Sequence, residues 1–196
     1  MKKYRVTVTF TEPLLGTAPL NRQLYTDYIA DSAPSIAAVE EEVMTIDEAM
    51  EKGTTGFHRL DGQPIIYDYV VKGFFKDAAG MLRRVKDTQS SKLTAYKKII
   101  DGLVFVKPRQ IPLTVVGELS ILERPLRAQT AQGERVALSR SEMVAGGSSM
   151  EFTVLVLDGV VTEATLREWL DYGELRGFGQ WRNGGWGCFT YTMESA

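Results

Sequence analysis

Stretches of strand periodicity and stretches of helical periodicity follow one another along this chain in an order that few folds accept. Tyr4, Val6, Val8 and Phe10 are apolar while Arg5, Thr7 and Thr9 are polar, the period of two that a half-buried strand requires. Lys72 to Lys86 then carries Phe74, Phe75, Ala78, Ala79, Leu82 and Val85 at helical spacing, with Lys72, Lys76, Arg83 and Arg84 largely off that stripe. Leu103 to Val106, Leu113 to Leu122 and Phe152 to Leu157 read as strands. Thr162 is placed to cap a helix from Glu163 to Leu175, whose apolar positions include Leu166, Trp169 and Leu170. Trp186 to Met193 closes the chain as a strand. Reduced to its core, the order is strand, helix, strand, strand, helix, strand. A length of 196 residues suits one domain with sizeable insertions.

That order is the ferredoxin-like α+β layout, β-α-β-β-α-β, which RNA-recognition modules also use. The fold implies no function by itself. Residues from about 14 to 62 form an insertion after the first strand, too long for an ordinary connector. Within it, Arg22 to Ala30 and Ser35 to Lys52 have helical character, and Gly53 to Pro64 reads as a loop. Ile65 to Val71 is short and apolar, Lys92 to Ile100 suits a second short helix, and Asp101-Gly102 suits a turn. Residues from about 123 to 144 have the pattern of a hairpin arm. Pro125 to Gln129 forms one side, Gln132-Gly133 the turn and Arg135 to Arg140 the other. The arm is weakly apolar and rich in arginine, so it is expected to project from the core. Gly146-Gly147-Ser148-Ser149 reads as a flexible corner. The whole, 1–196, is read as a single domain.

Between the second helix and the last strand stands Gly177-Phe178-Gly179-Gln180-Trp181-Arg182-Asn183-Gly184-Gly185-Trp186-Gly187. Two G-x-G pairs, each holding an aromatic, flank a five-residue spacer with one arginine. Glycine permits positive φ and close backbone approach, and Gly179 and Gly187 are expected to need one or the other. Successive amides freed in this way can form a concave anion site. Arg182 and Trp181 at the tip suit a phosphate and a base, and Arg182 reads as exposed and unneeded for packing. A plain helix-to-strand connector is the other use of such glycines. The spacing is not the dinucleotide fingerprint, which opens a helix, and no P-loop lysine follows.

The formal net charge of −2 conceals two opposed blocks: residues 23–61 carry nine acids and two bases, and residues 70–109 carry ten bases and three acids. The basic block has the form of an electrostatic footprint for nucleic acid. A solvated helical face, or attraction between neighbouring copies, would use the same charges. No apolar run reaches the length of a membrane span, and the N-terminus has no signal-like apolar region, so a cytoplasmic location is expected. The single cysteine, Cys188, excludes an internal disulfide and a cysteine metal site, and its place in a core-like strand predicts burial. Glu40, Glu41, Glu42, Asp47 and Glu48 read as a solvated helix face rather than a metal cluster, and no metal or other cofactor is expected. His58 is the only histidine; beside Arg59 in the Gly/Thr-rich stretch, it could serve as a proton-transfer residue.

Together these features resemble the RAMP superfamily of CRISPR–Cas systems, which have ferredoxin-like folds and a G-Φ-G-x5-G-Φ-G loop near the C-terminus. Gly177, Phe178, Gly179, Arg182, Gly185, Trp186 and Gly187 match that loop and its basic spacer residue. Tyr4 to Gly16 is similar to the opening strand and Pro-Leu turn of many members. Gln63 to Arg84 is similar to the segment where a strand runs into a Lys-Gly-led basic helix. The pairing is most like the effector backbone subunit that polymerises along guide RNA, and the hairpin at 123–140 would be its thumb. The resemblance implies a protein that binds single-stranded RNA, or single-stranded DNA, without cleaving it, alongside copies of itself or other effector subunits. It implies phosphate contacts from Lys72, Lys76, Arg83, Arg84, Arg127 and Arg135. It implies a loop shaped by Gly177, Gly179, Gly185 and Gly187 that sets Trp181 and Arg182 against RNA. Such subunits are usually longer, and their aspartate-bearing cleavage loop has no framed counterpart here, although Asp27 and Asp31 lie in its region. Three other readings stay open: an RNA-processing endoribonuclease using His58, a phage-borne homologue that joins and poisons a CRISPR assembly, and a structural oligomer held by the opposed charge blocks.

Overall fold

The computed structural model describes residues 1–20, 54–130, 133–157 and 159–196. The helices expected within Arg22 to Ala30 and Ser35 to Lys52, the acidic positions Glu40 to Glu48, Asp27, Asp31 and Gln132 lie outside them. So do the side chains of Arg127 and Arg135, whose backbone alone is described.

In chain order the elements are β1 (Lys2–Phe10), β2 (Leu14–Leu15), β3 (Ala18–Pro19), β4 (Thr54–Gly56), β5 (His58–Leu60), β6 (Gln63–Tyr67), α1 (Asp68–Leu82) and α2 (Tyr96–Leu103). There follow β7 (Val104–Lys107), β8 (Gln110–Thr114), β9 (Ser120–Thr130), β10 (Gly133–Val144), β11 (Ser149–Val156), α3 (Glu163–Arg176) and β12 (Phe189–Ser195). A short 3-10 turn, Ser90–Lys92, precedes α2. No described helix is long and apolar enough to cross a membrane.

The first sheet runs β12-β1-β11, and β11 is then shared. Its Thr153–Val156 half pairs with β7, and Ser149 and Met150 pair with β8, from which β6 and β5 continue. Among the strands that flank α1 and α3, the spatial order is fourth, first, third, second, all antiparallel, so the core is ferredoxin-like α+β. The period of two in β1 buries Tyr4, Val6, Val8 and Phe10, and β11 opposes Val6 with Phe152 and Tyr4 with Val154. Phe74 and Phe75 of α1 and Trp169 and Leu170 of α3 fill the space above, with Phe75 and Trp169 rings 5.4 Å apart. Thr162 caps α3 as its sequence predicts: the Thr165 N–H donates to Thr162 Oγ1 at 3.2 Å, and the Thr162 N–H donates to Thr165 Oγ1 at 3.2 Å.

The second sheet runs β2-β10-β4-β3, with β9 on β10. Arg140 and Ser141 of β10 lie parallel to Thr54 and Thr55, and Met143 and Val144 oppose Leu15 and Leu14. β9 and β10 pair continuously from Ser120–Met143 to Thr130–Gly133.

Several local expectations are corrected. Gly53 to Pro64 holds β4, β5 and the start of β6 instead of a loop, because Asp61 and Gly62, both at positive φ, fold β5 back on β6 while β4 finds a distant partner in β10. α1 starts and ends four residues early. Tyr67 is held in the sheet opposite Gln110, the Asp68 N–H donates to Arg109 O at 2.9 Å, and Thr88 Oγ1 donates to the Leu82 and Val85 carbonyls at 3.0 Å to close the helix. Arg83 therefore caps α1, and Arg84 lies beyond it. Asp101 and Gly102 belong to α2 rather than to a turn, and the strand expected from Leu113 to Leu122 is split between β8 and β9. The glycine-serine corner is pinned instead of flexible: the Gly147 N–H donates to Phe10 O at 2.7 Å, and buried Ser148 accepts from the Val116 N–H at 3.1 Å.

Candidate nucleic-acid interface at the glycine loop

The glycine loop joins α3 to β12, and its two G-x-G pairs are laced to each other. The Phe178 N–H donates to Gly187 O at 2.8 Å, and the Gly187 N–H donates to Pro13 O at 2.9 Å. Gly177, Gly179, Gly185 and Gly187 all have positive φ, as does Trp181 at 59°. At Gly187 a side chain would meet the Phe178 carbonyl and stand 3.0 Å from the Phe178 nitrogen, so both positive φ and close approach require glycine there. The aromatic of the first pair is a core residue: Phe178 is buried and stacks on Phe74 at 4.9 Å.

Gln180 hooks the loop to the second sheet. Its Nε2 donates to the Gly16 carbonyl, to Thr55 Oγ1 at 2.7 Å and to Ser141 Oγ at 3.1 Å. This places the loop at the root of the β9–β10 hairpin, where Arg124 of β9 lies over the Trp181 ring, 4.9 Å from its centroid. Arg182 is not the free tip residue that its position predicts. It is 28% exposed, and its Nη1 donates to Asp77 Oδ2 at 2.8 Å, a carboxylate that also accepts from Arg176 Nε at 3.3 Å. Arg176 donates as well to Asn183 Oδ1. Two arginines thus share one acid, a local excess of one positive charge. The amides of Gly179 to Asn183, two of them in left-handed residues, donate to no acceptor among the described residues, whereas those of Gly184 and Gly185 are consumed by the loop itself and that of Gly187 by Pro13 O. Neighbouring donors in such a backbone, flanked by cations, can take an anion.

The cations of α1 divide. Lys72 Nζ donates to Asp101 O at 3.1 Å and lies over the Phe105 ring, Lys76 pairs with Asp101 at 2.5 Å, and Arg83 lies over the Tyr96 ring. These three face α2, while Asp77, one residue and ~100° further round the helix, faces the glycine loop. Arg84 is exposed past the helix end. The structure therefore brings Trp181 and Arg182 together with the hairpin root and sets Lys72, Lys76 and Arg83 on the adjoining side of α1. In the backbone register of the hairpin, position 127 pairs with 136 and position 135 with 128.

Arg124, Gln180, Asp77 and Arg176 were not singled out by sequence. A lone acid in a basic helix is a signal for Asp77; nothing local marks Arg124 or Gln180. His58 lies in a strand, not a loop, and its ring meets Tyr67 edge-on, while the Arg59 guanidinium is taken by Glu142 at 2.6 Å. Among the described residues no group of three or more His, Cys, Asp or Glu side chains could hold a metal ion. Cys188 is buried as expected, and desolvation, then the Glu12 charge, pushes its thiol pKa up.

No protein-family model matches this chain, and no curated protein matches it. Among solved structures it is similar to a chain of the Type III-B Cmr-beta bound to cognate target RNA, determined by cryo-EM, at 11% identity and a TM-score of 0.59. That likeness covers 99% of this chain and 60% of the other, so this chain spans less than two thirds of its neighbour's length. A chain of a Type IV-B CRISPR complex matches at 12% identity and a TM-score of 0.45, covering 98% of this chain and 90% of that one. At 11% identity, what the Cmr-beta chain shares with this one is the fold.

Proposed function

We propose that this chain is a non-catalytic subunit that holds single-stranded RNA, of the guide class, within a CRISPR-type ribonucleoprotein assembly, beside copies of itself or other effector subunits. One observation carries the reading: the acceptor-free amides of Gly179 to Asn183 belong to the same turn as Arg182 and the Arg124-covered Trp181, at the root of a long hairpin. A phosphate suits the amides and arginines, and an aromatic under a guanidinium suits a nucleobase. The fold it shares with a chain of an RNA-bound assembly supports the same reading. Lys72, Lys76, Arg83 and Arg84, with Arg127 and Arg135 on the hairpin, would extend the contact to further phosphates. Contacts of this kind read the backbone and the base faces, so little sequence selectivity follows.

The test is the affinity for an unstructured single-stranded RNA across a salt series. Each neutralised phosphate adds a log–log slope of about −0.7, so contacts at the glycine loop and α1 together give a slope near −2 or steeper. Arg124→Ala should weaken binding at all salt concentrations. Absence of binding at low salt, or binding indifferent to salt, would refute the proposal. Cleavage of the RNA that His58→Ala abolishes would replace it with the endoribonuclease reading.

A further inference from the structure

Adjacent free amides make an anion site only if the backbone holds them in one arrangement, and the spacer that carries them has little packing of its own. Gly179 and Gly185, both at positive φ, flank it and add backbone freedom. Phe178, just before it, is buried in the core, whereas no residue from Gly179 to Trp186 is buried. Among the described residues, the hydrogen bonds that tie the spacer to the second sheet all start from one atom, Gln180 Nε2. Its acceptors belong to three segments: the Gly16 carbonyl between β2 and β3, Thr55 Oγ1 of β4 at 2.7 Å and Ser141 Oγ of β10 at 3.1 Å. The two hydroxyls also bond each other at 2.8 Å, and Ser141 is buried. A carbonyl only accepts, so the amide nitrogen has to face Gly16 and the carboxamide cannot turn over. Ser141 stands two positions along β10 from Ser139, the partner of Arg124, and Arg124 covers the ring of Trp181. Successive residues of the spacer are therefore fastened to the two strands of the hairpin, Gln180 to β10 and Trp181 to β9.

We infer that Gln180 is a positioning residue for the nucleic-acid site: its carboxamide holds the free amides of Gly179 to Asn183 against the hairpin root, so that turn and hairpin meet a strand as one rigid clamp. The inference rests on the RNA-holding reading above and adds to it the device that sets the geometry of the site. The Gln180 side chain is turned into the protein, and only its backbone amide lies in the row that meets a phosphate. With the hook in place, the turn is ordered when the chain folds. Without it, the ordering falls on the binding step, and affinity drops by the corresponding factor.

The experiment compares the full chain with Gln180→Met, which keeps the side-chain length and removes the donor, and with Thr55→Val, which removes one acceptor from the far side of the hook. Nitrogen-15 relaxation gives the order of the Gly179 to Asn183 amides with and without an unstructured single-stranded RNA, and titration of the same RNA gives the affinities. The unsubstituted turn should be rigid, with order parameters of about 0.85, and change little on binding. Gln180→Met should lower them to about 0.6 or below in the free chain and regain the rigid value with RNA bound. It should weaken binding roughly 10-fold, the effect of having to order about one more residue. Its salt slope should stay unchanged, because the same phosphates are met. Thr55→Val should move order and affinity in the same direction by less, and it alone decides if Gln180→Met fails to fold. A turn that stays rigid in both variants would overturn the inference while the RNA-holding reading stands. So would a loosened turn with unchanged affinity, which makes the hook a feature of the fold alone. If the unsubstituted chain binds no RNA at low salt, both fall.

Discussion

Two glycines of the loop, two residues apart and alike in φ, should respond very differently to alanine. Gly185 has φ 82° and Gly187 φ 72°. Around Gly185 an added Cβ meets nothing within 4 Å; at Gly187 it meets the backbone of Phe178, which cannot step aside because Phe178 is locked into the core. Gly185→Ala therefore costs the left-handed conformation alone, about 1 kcal/mol. Gly187→Ala costs the same conformation and also displaces the Phe178 N–H to Gly187 O bond and the Gly187 N–H to Pro13 O bond. Each is worth about 1 kcal/mol, for a total of roughly 3–4 kcal/mol with the strain. For a chain of this length each kcal/mol lowers the melting temperature by about 2–4 °C. Urea unfolding of the two variants beside the unsubstituted chain measures both values. Equal losses, or a larger loss at Gly185, would refute the claim that the two glycine pairs are laced through Phe178 and Gly187.

Arg182→Ala should lower stability by about 0.5–1 kcal/mol, since its ion pair with Asp77 is partly exposed and that carboxylate is shared with Arg176. A double-mutant cycle of Arg182 with Asp77 should return a coupling of similar size, and a coupling of zero would show that the pair does nothing for the fold. Glu168→Ala should cost about 2–3 kcal/mol, because the carboxylate accepts from the Gln89 N–H, the Ser90 N–H and Ser90 Oγ, which in turn accepts from Trp169 Nε1. Urea unfolding gives the loss, and a near-ultraviolet spectrum unchanged at Trp169 would contradict the assignment. The Tyr191 phenol is pushed up to about 12, first by burial and then by its hydrogen bond to Asp171 at 2.6 Å. Its stabilising share is whole below the ordinary phenol value of about 10 and lost as pH rises through about 12, so Tyr191→Phe should flatten that part of the alkaline stability curve. Cys188 should react with iodoacetamide far more slowly in the folded chain than in urea, because its thiol is buried and its pKa raised.

What could be read from the chain was what short-range rules govern. The cap at Thr162, the alternation in β1 and the positive φ of Gly179 and Gly187 depend on neighbours a few residues away, and each stands as expected. The start of α1 depends on β6 meeting β8, more than forty residues on, so helical spacing alone placed it late. β4 is three residues of threonine and glycine whose strand character comes from Arg140 and Ser141, and no local pattern foretells that. Arg182 looked free because its carboxylate lies 105 residues back in the chain. Gln180, unremarkable in the spacer, ties the loop to the second sheet through three oxygens that are scattered in sequence.

The chain leaves the second sheet at Leu20 and rejoins it at Thr54, and these two points touch. β3 and β4 pair Ala18 with Gly56 and Pro19 with Thr55, and the Leu20 N–H donates to Thr54 O at 3.2 Å. β3 is the outer strand of its sheet. The fold therefore offers a docking port for spare chain: a segment of any length can be spliced between these two residues without moving a strand. Closing a loop there costs free energy only logarithmically, about 0.6 kcal/mol for each doubling of its length. A foreign domain with adjacent termini could be grafted at the same port.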